Sequence, residues 1–160
     1  MKRIILHWTA GTHQPSTEDY EHYHYLINGD GLIIKGKFKP EDNLNCKDGK
    51  YAQHTLMGNT GSIGVAFCGM RNYTIGGHTD YPLTLSQCMA GFKLVAELCK
   101  KYNIEITKET VLTHHEFDCK RGYAGRKIDI VHLHPFPEII TVCVGDFIRQ
   151  QVKAFSNILN

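Results

Sequence analysis

The sequence predicts a single α/β domain over residues 1–160, with a central mixed β-sheet flanked by helices. Short apolar runs such as Ile4–Leu6 and Ser62–Gly69 are typical of strands that are covered on both faces. Two other segments carry apolar residues at helical spacing, and a hairpin signal adds antiparallel pairing to the sheet. The chain shows no linker, repeat or low-complexity segment, so its 160 residues are expected to share one core.

The first half of the chain contains the clearest hairpin signal. Tyr20–Ile27 alternates polar and aromatic residues, which favours a strand. Asn28–Gly31 follows as a tight turn of the Asn-Gly kind, after which Leu32–Ile34 begins the returning strand. Lys35–Gly61 is rich in Lys, Asp, Asn and Gly, and we interpret it as a connection that carries His54.

The second half contains both predicted helices. Thr84 and Gln87 match a capping box, and the apolar stripe that follows them predicts a long helix facing the core. The stripe consists of Leu85, Cys88, Met89, Phe92, Val95, Ala96 and Cys99. Ile104–Leu112 leads into a short strand that ends before His114. A second helical stripe lies near the end of the sequence, at Ile148, Val152, Phe155 and Leu159.

Composition and charge argue against two classes of partner. A hydrophobic fraction of 42% and a charged fraction of 21% are ordinary for a soluble globular protein. A formal net charge of +2 is too small to indicate nucleic-acid binding. No apolar run approaches the length of a membrane span, so we expect no membrane insertion.

The apolar run at the start of the sequence and the cysteines predict the compartment. Ile4–Leu6 is shorter than the apolar core of a secretory signal, so we expect synthesis in the cytoplasm without a signal peptide. The six cysteines show no paired spacing, and several fall within apolar patterns. We therefore interpret them as reduced core residues. They are Cys46, Cys68, Cys88, Cys99, Cys119 and Cys143.

The ten histidines are clustered, which is the compositional signal for a metal. His7 and His114 each follow an apolar strand, so both side chains can extend from the same edge of one sheet. Asp129 lies downstream of His114 across a glycine-bearing loop that can bring it back to that edge. A catalytic zinc ion takes three such protein ligands and one water, so we predict one zinc ion at the strand ends.

Two further residues are predicted to act beside the metal. Lys127 precedes Asp129 by two positions and would lie near the same centre if this segment is extended. Its positive charge would stabilise the oxyanion of a tetrahedral intermediate. Tyr23, near the start of the predicted hairpin, could orient the water or stabilise the transition state. This set of residues predicts a metal hydrolase.

The neighbouring histidines and cysteine have other interpretations. On a strand, His115 would face away from His114 and would support the site or be buried, although the two residues could exchange roles. Cys119 is a possible zinc ligand but comes early in the loop. The remaining histidines considered are interpreted as packed or surface groups: His22, His24, His132 and His134.

Taken together, these motifs resemble the zinc-dependent N-acetylmuramoyl-L-alanine amidases of the type-2 family. That family includes phage lysozyme-amidases, cytoplasmic anhydromuramyl-peptide amidases and peptidoglycan recognition proteins. Five segments carry the resemblance, in the family's order: His7–Gly11, Tyr23–Ile27 with Asp30-Gly31, His54 with Asn59 and Ser62–Val65, His114–Glu116, and Gly125–Asp129.

The resemblance implies cleavage of the amide between the lactyl group of N-acetylmuramic acid and the L-alanine of the stem peptide. It implies zinc on His7, His114 and Asp129, with Lys127 and Tyr23 catalytic. His54 is similar to the family's cleft histidine, so it either contacts substrate or is structural. Arg126, with the nearby basic residues, either meets stem-peptide carboxylates or belongs to a solvated loop.

Three positions depart from the family's pattern. Ala66 stands where some members place a catalytic glutamate, so a larger catalytic role is expected for Tyr23. The loop between His114 and Lys127 looks longer than usual, and Ile130 replaces an expected proline. These changes concern the path of the loop and the substrate groups that it contacts.

The biological setting has several interpretations. The main expectation is a phage or prophage endolysin that acts on the cell wall after release, with peptidoglycan or muropeptides as its partner. The alternatives are a recognition module that binds peptidoglycan without cleaving it, a cytoplasmic amidase that recycles anhydromuropeptides, and a toxin delivered between bacteria. A monomer is favoured, although the sequence does not determine the oligomeric state.

Overall fold

The computed structural model describes residues 1–139 and 144–159 and contains a five-stranded mixed sheet. The strands are β1 (Arg3–Trp8), β2 (Tyr25–Ile27), β3 (Ile33–Lys35), β4 (Ser62–Phe67) and β5 (Val111–Thr113). They lie in the order β3-β2-β4-β1-β5. β1 pairs in parallel with β4 and β5, β2 pairs in parallel with β4, and only β3 runs antiparallel to its neighbour. The predicted α/β architecture with a mixed sheet is confirmed.

The helices are α1 (Thr17–His22), α2 (Leu85–Tyr102), α3 (His114–Lys120) and α4 (Val144–Ile158), with 3₁₀ turns at Pro40–Leu44 and Cys46–Asp48. The predicted helix α2 is confirmed, including its capping box at Thr84 and Gln87. The helix ends at Tyr102, and the next residue, Asn103, has the left-handed backbone that is typical of a helix C-terminus. Two residues of the predicted stripe, Leu85 and Met89, are exposed rather than buried.

The hairpin is confirmed, but its turn is longer than predicted. Ile27 pairs with Ile33, so the loop spans five residues, 28–32. The side chain of Asn28 organises this loop, because its Oδ1 accepts hydrogen bonds from the backbone N–H groups of Asp30 and Leu32. A local side-chain hydrogen bond of this kind stabilises the longer loop. A two-residue turn would not need it.

The prediction of a strand over Tyr20–Ile27 is wrong in its first half. Residues 17–22 form α1, and only Tyr25–Ile27 joins the sheet. Ser16 and Asp19 form a capping box, in which each side chain bonds the other residue's backbone N–H. These bonds satisfy donors at the helix N-terminus, so the helix forms although it buries no residue.

His114 and His115 lie on a helix, which the sequence analysis did not predict. β5 ends at Thr113, and this residue caps α3, which begins directly with His114. Thr113 Oγ1 accepts the backbone N–H of Glu116 at 3.1 Å, and Glu116 Oε2 accepts that of Thr113 at 2.9 Å. The two histidines therefore lie about 100° apart around a helix rather than on opposite faces of a strand.

The C-terminal helix confirms the second predicted stripe and holds α3 in place. Ile148 and Val152 of α4 are buried in the core. Arg149, 5% exposed, binds both carboxylate oxygens of Glu116 at 2.8 and 3.1 Å. It also donates to the carbonyl of Val111 at 2.8 Å. This ion pair joins α4 to the strand and helix that present His114.

Five cysteines are free within the described residues, which agrees with the interpretation that they are reduced. Cys68, Cys88 and Cys99 are buried, whereas Cys46 and Cys119 are half-buried. Cys143 lies outside the residues that the structure describes. In residues 1–139 and 144–159, no helix has the length and apolar character needed to cross a membrane.

We expect Glu116→Ala to reduce the free energy of unfolding by about 3 kcal/mol, because the buried Arg149 guanidinium loses its two-oxygen partner and keeps only the more exposed carboxylate of Asp146, and because Thr113 loses its capping bond. Chemical denaturation would measure this loss. The matched control is Glu97→Ala, which removes an exposed helix carboxylate 4.0 Å from Lys93 and should cost less than about 1 kcal/mol. Equal losses in the two variants would show that the buried pair has no special role.

Candidate metal centre

The parallel pairing of β1 and β5 brings two histidines together. Leu6 lies opposite Thr113 in the sheet, and the next residue on each segment is a histidine, His7 or His114. Their ring centroids are 4.6 Å apart. Both side chains are predicted to extend from one edge of the sheet, and the structure places them there.

Asp129 completes a three-residue group. Its Oδ2 lies 3.2 Å from His7 Nδ1 and 3.1 Å from His114 Nδ1. Potential ligand atoms of the three residues all lie within 4.8 Å of one another. In the described parts of the chain, this is the one group of at least three histidine, cysteine or acidic residues so arranged.

The donor set and its spacing fit a zinc ion. Ligand atoms about 2.0–2.1 Å from a tetrahedral zinc are separated by roughly 3.3 Å, close to the two observed nitrogen–oxygen distances. Two imidazoles and a carboxylate are donors that zinc accepts. The group is shielded from solvent, since the side chains of His7, His114 and Asp129 are 0%, 3% and 14% exposed.

Protonation favours metal binding at this group. Burial lowers the pKa of His7 to about 4, so its imidazole is neutral at physiological pH. Burial opposes ionisation of Asp129, but hydrogen bonds with His114 and His7 outweigh it and hold the carboxyl pKa well below its ordinary range. Neutral imidazole and ionised carboxylate are the forms that coordinate a metal.

His54 lies behind His7 and is buried, with 6% of its surface exposed. His54 Nδ1 is 3.2 Å from His7 Nε2, and Thr55 Oγ1 is 3.4 Å from the same nitrogen. Gly64 makes room for this ring, because a Cβ there would lie 2.5 Å from His54 Cγ. A substrate contact by His54 stays a prediction. Its observed contacts orient His7 from the side opposite Asp129.

Tyr23 lies at the C-terminal end of α1, where its ring is 5.2 Å from the ring of His7. Burial, aided by the charge of Asp129, raises the pKa of Tyr23, so its hydroxyl stays protonated and can donate a hydrogen bond. A groove of about 490 Å³ borders Tyr23 and is also lined by Glu18, Asp19 and Arg71.

Lys127 and Arg126 are adjacent in sequence but have different surroundings. Lys127 is half-buried, and its charge adds to burial in lowering the pKa of His7. A catalytic role for Lys127 at this centre stays a prediction. Arg126 Nη2 lies 2.7 Å from Asp118 Oδ2, and the Asp118 side chain is 1% exposed. The structure thus shows an ion pair for Arg126, and its contact with substrate stays a prediction.

Two supporting residues were missed from sequence. Asn43 Oδ1 accepts from His24 Nε2 at 3.0 Å and from the Ala52 backbone at 2.9 Å, which orders the connection that carries His54. Asp118 holds Arg126 as described above. No sequence signal could have identified these two residues. Asn43 lies in a polar connection and Asp118 in a charged segment, where most polar side chains are simply exposed to solvent.

A family model described as N-acetylmuramoyl-L-alanine amidase (Amidase_2) matches residues 1–132 of the chain. The match contains every residue predicted for the site: His7, Tyr23, His54, His114, Arg126, Lys127 and Asp129. Among curated proteins, no significant match is found.

Several solved structures share this fold. The Staphylococcus aureus hydrolase AmiA is 17% identical, with a TM-score of 0.62 over 99% of this chain and 74% of that one. A mutant of PlyL is 22% identical, with a TM-score of 0.50 over 95% and 84%. The endolysin of Thermus scotoductus MAT2119 bacteriophage Ph2119 is 22% identical, with a TM-score of 0.50 over 71% of each chain. Similarities at these identities establish the fold.

We expect Asp129→Ala to weaken zinc binding by more than about 100-fold, because it removes the one carboxylate of the proposed ligand set and leaves only two imidazoles. Competition with a chromophoric chelator would measure the affinity, and elemental analysis the zinc content. Lys127→Ala is the matched control, since it changes a neighbouring residue that is not a ligand. Equal zinc loss in both variants would refute the assignment of roles.

Proposed function

Because the chain belongs to the N-acetylmuramoyl-L-alanine amidase family, we propose that it is a zinc hydrolase that cleaves peptidoglycan. The bond cleaved is the amide between the lactyl group of N-acetylmuramic acid and the L-alanine of the stem peptide. The convergence of His7, His114 and Asp129, with the ring of Tyr23 5.2 Å from that of His7, is the observation that carries this proposal.

Three residues hold the metal in this proposal, and two act on the substrate. When bound, zinc supplies Lewis acidity and a water whose pKa is lowered to about 7. His7, His114 and Asp129 provide the nitrogen and carboxylate ligands. The Lys127 ammonium offsets the negative charge that develops on the amide oxygen during attack. The Tyr23 hydroxyl, protonated because its pKa is raised by burial, donates a hydrogen bond to the reacting oxygen atoms.

Ala66 gives Tyr23 particular importance. Ala66 lies on β4 directly opposite His7 and is fully buried. The resemblance described above indicates that some family members carry a catalytic glutamate at this position. A methyl group cannot accept a proton, so the proposal assigns orientation of the attacking water to Tyr23 rather than to a strand carboxylate.

The groove beside Tyr23 suits a peptide that carries both charges. Glu18 and Asp19 line it with carboxylates, and Arg71 lines it with a guanidinium group. A stem peptide presents carboxylates and, in many cell walls, a free amine. We propose that this groove receives the part of the substrate that extends from the cleaved amide.

The proposed setting is a phage or prophage endolysin that acts on the cell wall after release. A non-catalytic recognition module is the less favoured alternative, because Asp129 and Lys127 are both present. A recycling amidase would use the same chemistry on soluble anhydromuropeptides.

We expect Lys127→Ala to lower kcat by about 10²–10³-fold while zinc content stays unchanged, because the lysine acts only on charge that develops during the reaction. Release of free L-alanine amino termini from purified cell walls would measure the rate. Lys93→Ala, a change on the exposed face of α2, is the control and should retain full activity. Zinc-loaded protein that binds walls but releases no amino termini would instead be a recognition module.

Relative rates on two substrates would test the setting. An endolysin should release L-alanine amino termini from intact walls at least as fast as from soluble anhydromuropeptides at equal muramic acid concentration. The reason is that its groove must accept cross-linked, glycan-bound stems. A strong preference for the soluble substrate would overturn the endolysin proposal and favour the recycling amidase.

A further inference from the structure

The segment that carries Lys127 and Asp129 has no regular secondary structure of its own. It runs from Arg121, at the end of α3, through turns that contain Gly122 and Gly125 in left-handed conformations. Both glycines have open space where a side chain would lie, so neither is packed against a neighbour. Turn hydrogen bonds within the segment and contacts with α3, such as the ion pair between Arg126 and Asp118, help to fix its path.

His115 makes two such contacts. Its backbone N–H, in the first turn of α3, donates to the carbonyl of Asp129 at 3.4 Å. Its side-chain Nδ1 lies 2.8 Å from the carbonyl oxygen of Lys127. The three segment residues 127–129 are thus held at both ends by one residue, which is the immediate neighbour of His114.

The chemistry of these partners determines which ring nitrogen of His115 carries the proton. A carbonyl oxygen can only accept a hydrogen bond, so Nδ1 is the donor and bears hydrogen. Nε2 then has a free lone pair, and Cys119 Sγ lies 3.5 Å from it, one helical turn further along. The thiol can donate to this lone pair. Each ring nitrogen therefore has a hydrogen-bond partner when Nδ1 bears the hydrogen.

We propose that His115 is a positioning residue that holds the backbone of Lys127 and Asp129 against α3. In this position the Asp129 carboxylate reaches the two imidazoles, and Lys127 lies two residues before it on the same held segment. This inference rests on the proposed function of the same site, and it assigns His115 no contact with substrate or metal. A displacement of about 1 Å at a catalytic group can cost on the order of 100-fold in rate, so a weak backbone contact can have a large effect.

Two substitutions separate positioning from general helix stability. In His115→Asn the side-chain amide nitrogen occupies nearly the position of Nδ1 and can still donate to Lys127. In His115→Gln the amide extends to the position of Nε2 and cannot reach that carbonyl in the same way. Glutamine is the better helix former, so a purely structural role would favour Gln over Asn, the reverse of what positioning requires.

The experiment measures the zinc affinity of the full chain by chelator competition for both variants, with His78→Gln, an exposed histidine substitution, as control. We expect His115→Asn to stay within about 3-fold of wild type and His115→Gln to lose about 10- to 100-fold, the range seen when groups that orient metal ligands are removed. The melting temperature of the zinc-free protein is recorded in parallel. The proposal is overturned if Gln binds zinc as well as Asn, or if affinity only follows melting temperature.

A second measurement reads the proposed tautomer directly. Long-range ¹H–¹⁵N correlation spectra of the zinc-free protein should show His115 protonated at Nδ1 at neutral pH. Protonation at Nε2 instead would contradict the hydrogen bond to Lys127 and overturn the proposal. Neither readout requires amide cleavage. If wild-type protein binds zinc but releases no L-alanine termini, the proposed function fails while the role of His115 is still tested.

Discussion

The rest of the site depends on the parallel pairing of β1 with β5. That register sets Leu6 beside Thr113, so the residues that follow, His7 and His114, become neighbours although they are far apart in the chain. One carboxylate, Asp129, then lies within hydrogen-bond distance of both rings. A strand slip of one residue would turn one histidine to the other face of the sheet, so the candidate metal centre requires this register.

Burial and local order act together around this centre. The site is buried, which keeps His7 neutral, while hydrogen bonds with His114 and His7 outweigh the effect of burial on Asp129 and keep its carboxylate ionised. The fold supports the ligands from two directions, with His54 behind His7 and α3 behind the segment that carries Asp129. Glu116 and Arg149 connect α3 to the C-terminal helix, so a distant part of the chain contributes to its position.

Periodicity predicted the elements that bury a regular apolar pattern. The predicted strands at Ile4–Leu6 and Ser62–Gly69 and the long helix after Thr84 follow from such patterns and are confirmed, although the second strand ends at Phe67. The family suggested by the motifs is also confirmed. The two short helices, α1 and α3, were missed. Both begin at capping boxes, and their stability comes from side-chain hydrogen bonds and neighbouring elements rather than from a periodic stripe.

The sequence by itself determined the fold class, the family and the identity of the residues that can bind a metal, because these follow from residue types and from short-range order. Only the tertiary structure decided how the remaining residues are used. Arg126 binds a buried aspartate, His54 lies behind a ligand, and His115 bonds the backbone of Lys127. These contacts depend on the path of irregular segments and on the direction of each side chain. Packing in the folded protein determines both, and residue type alone does not.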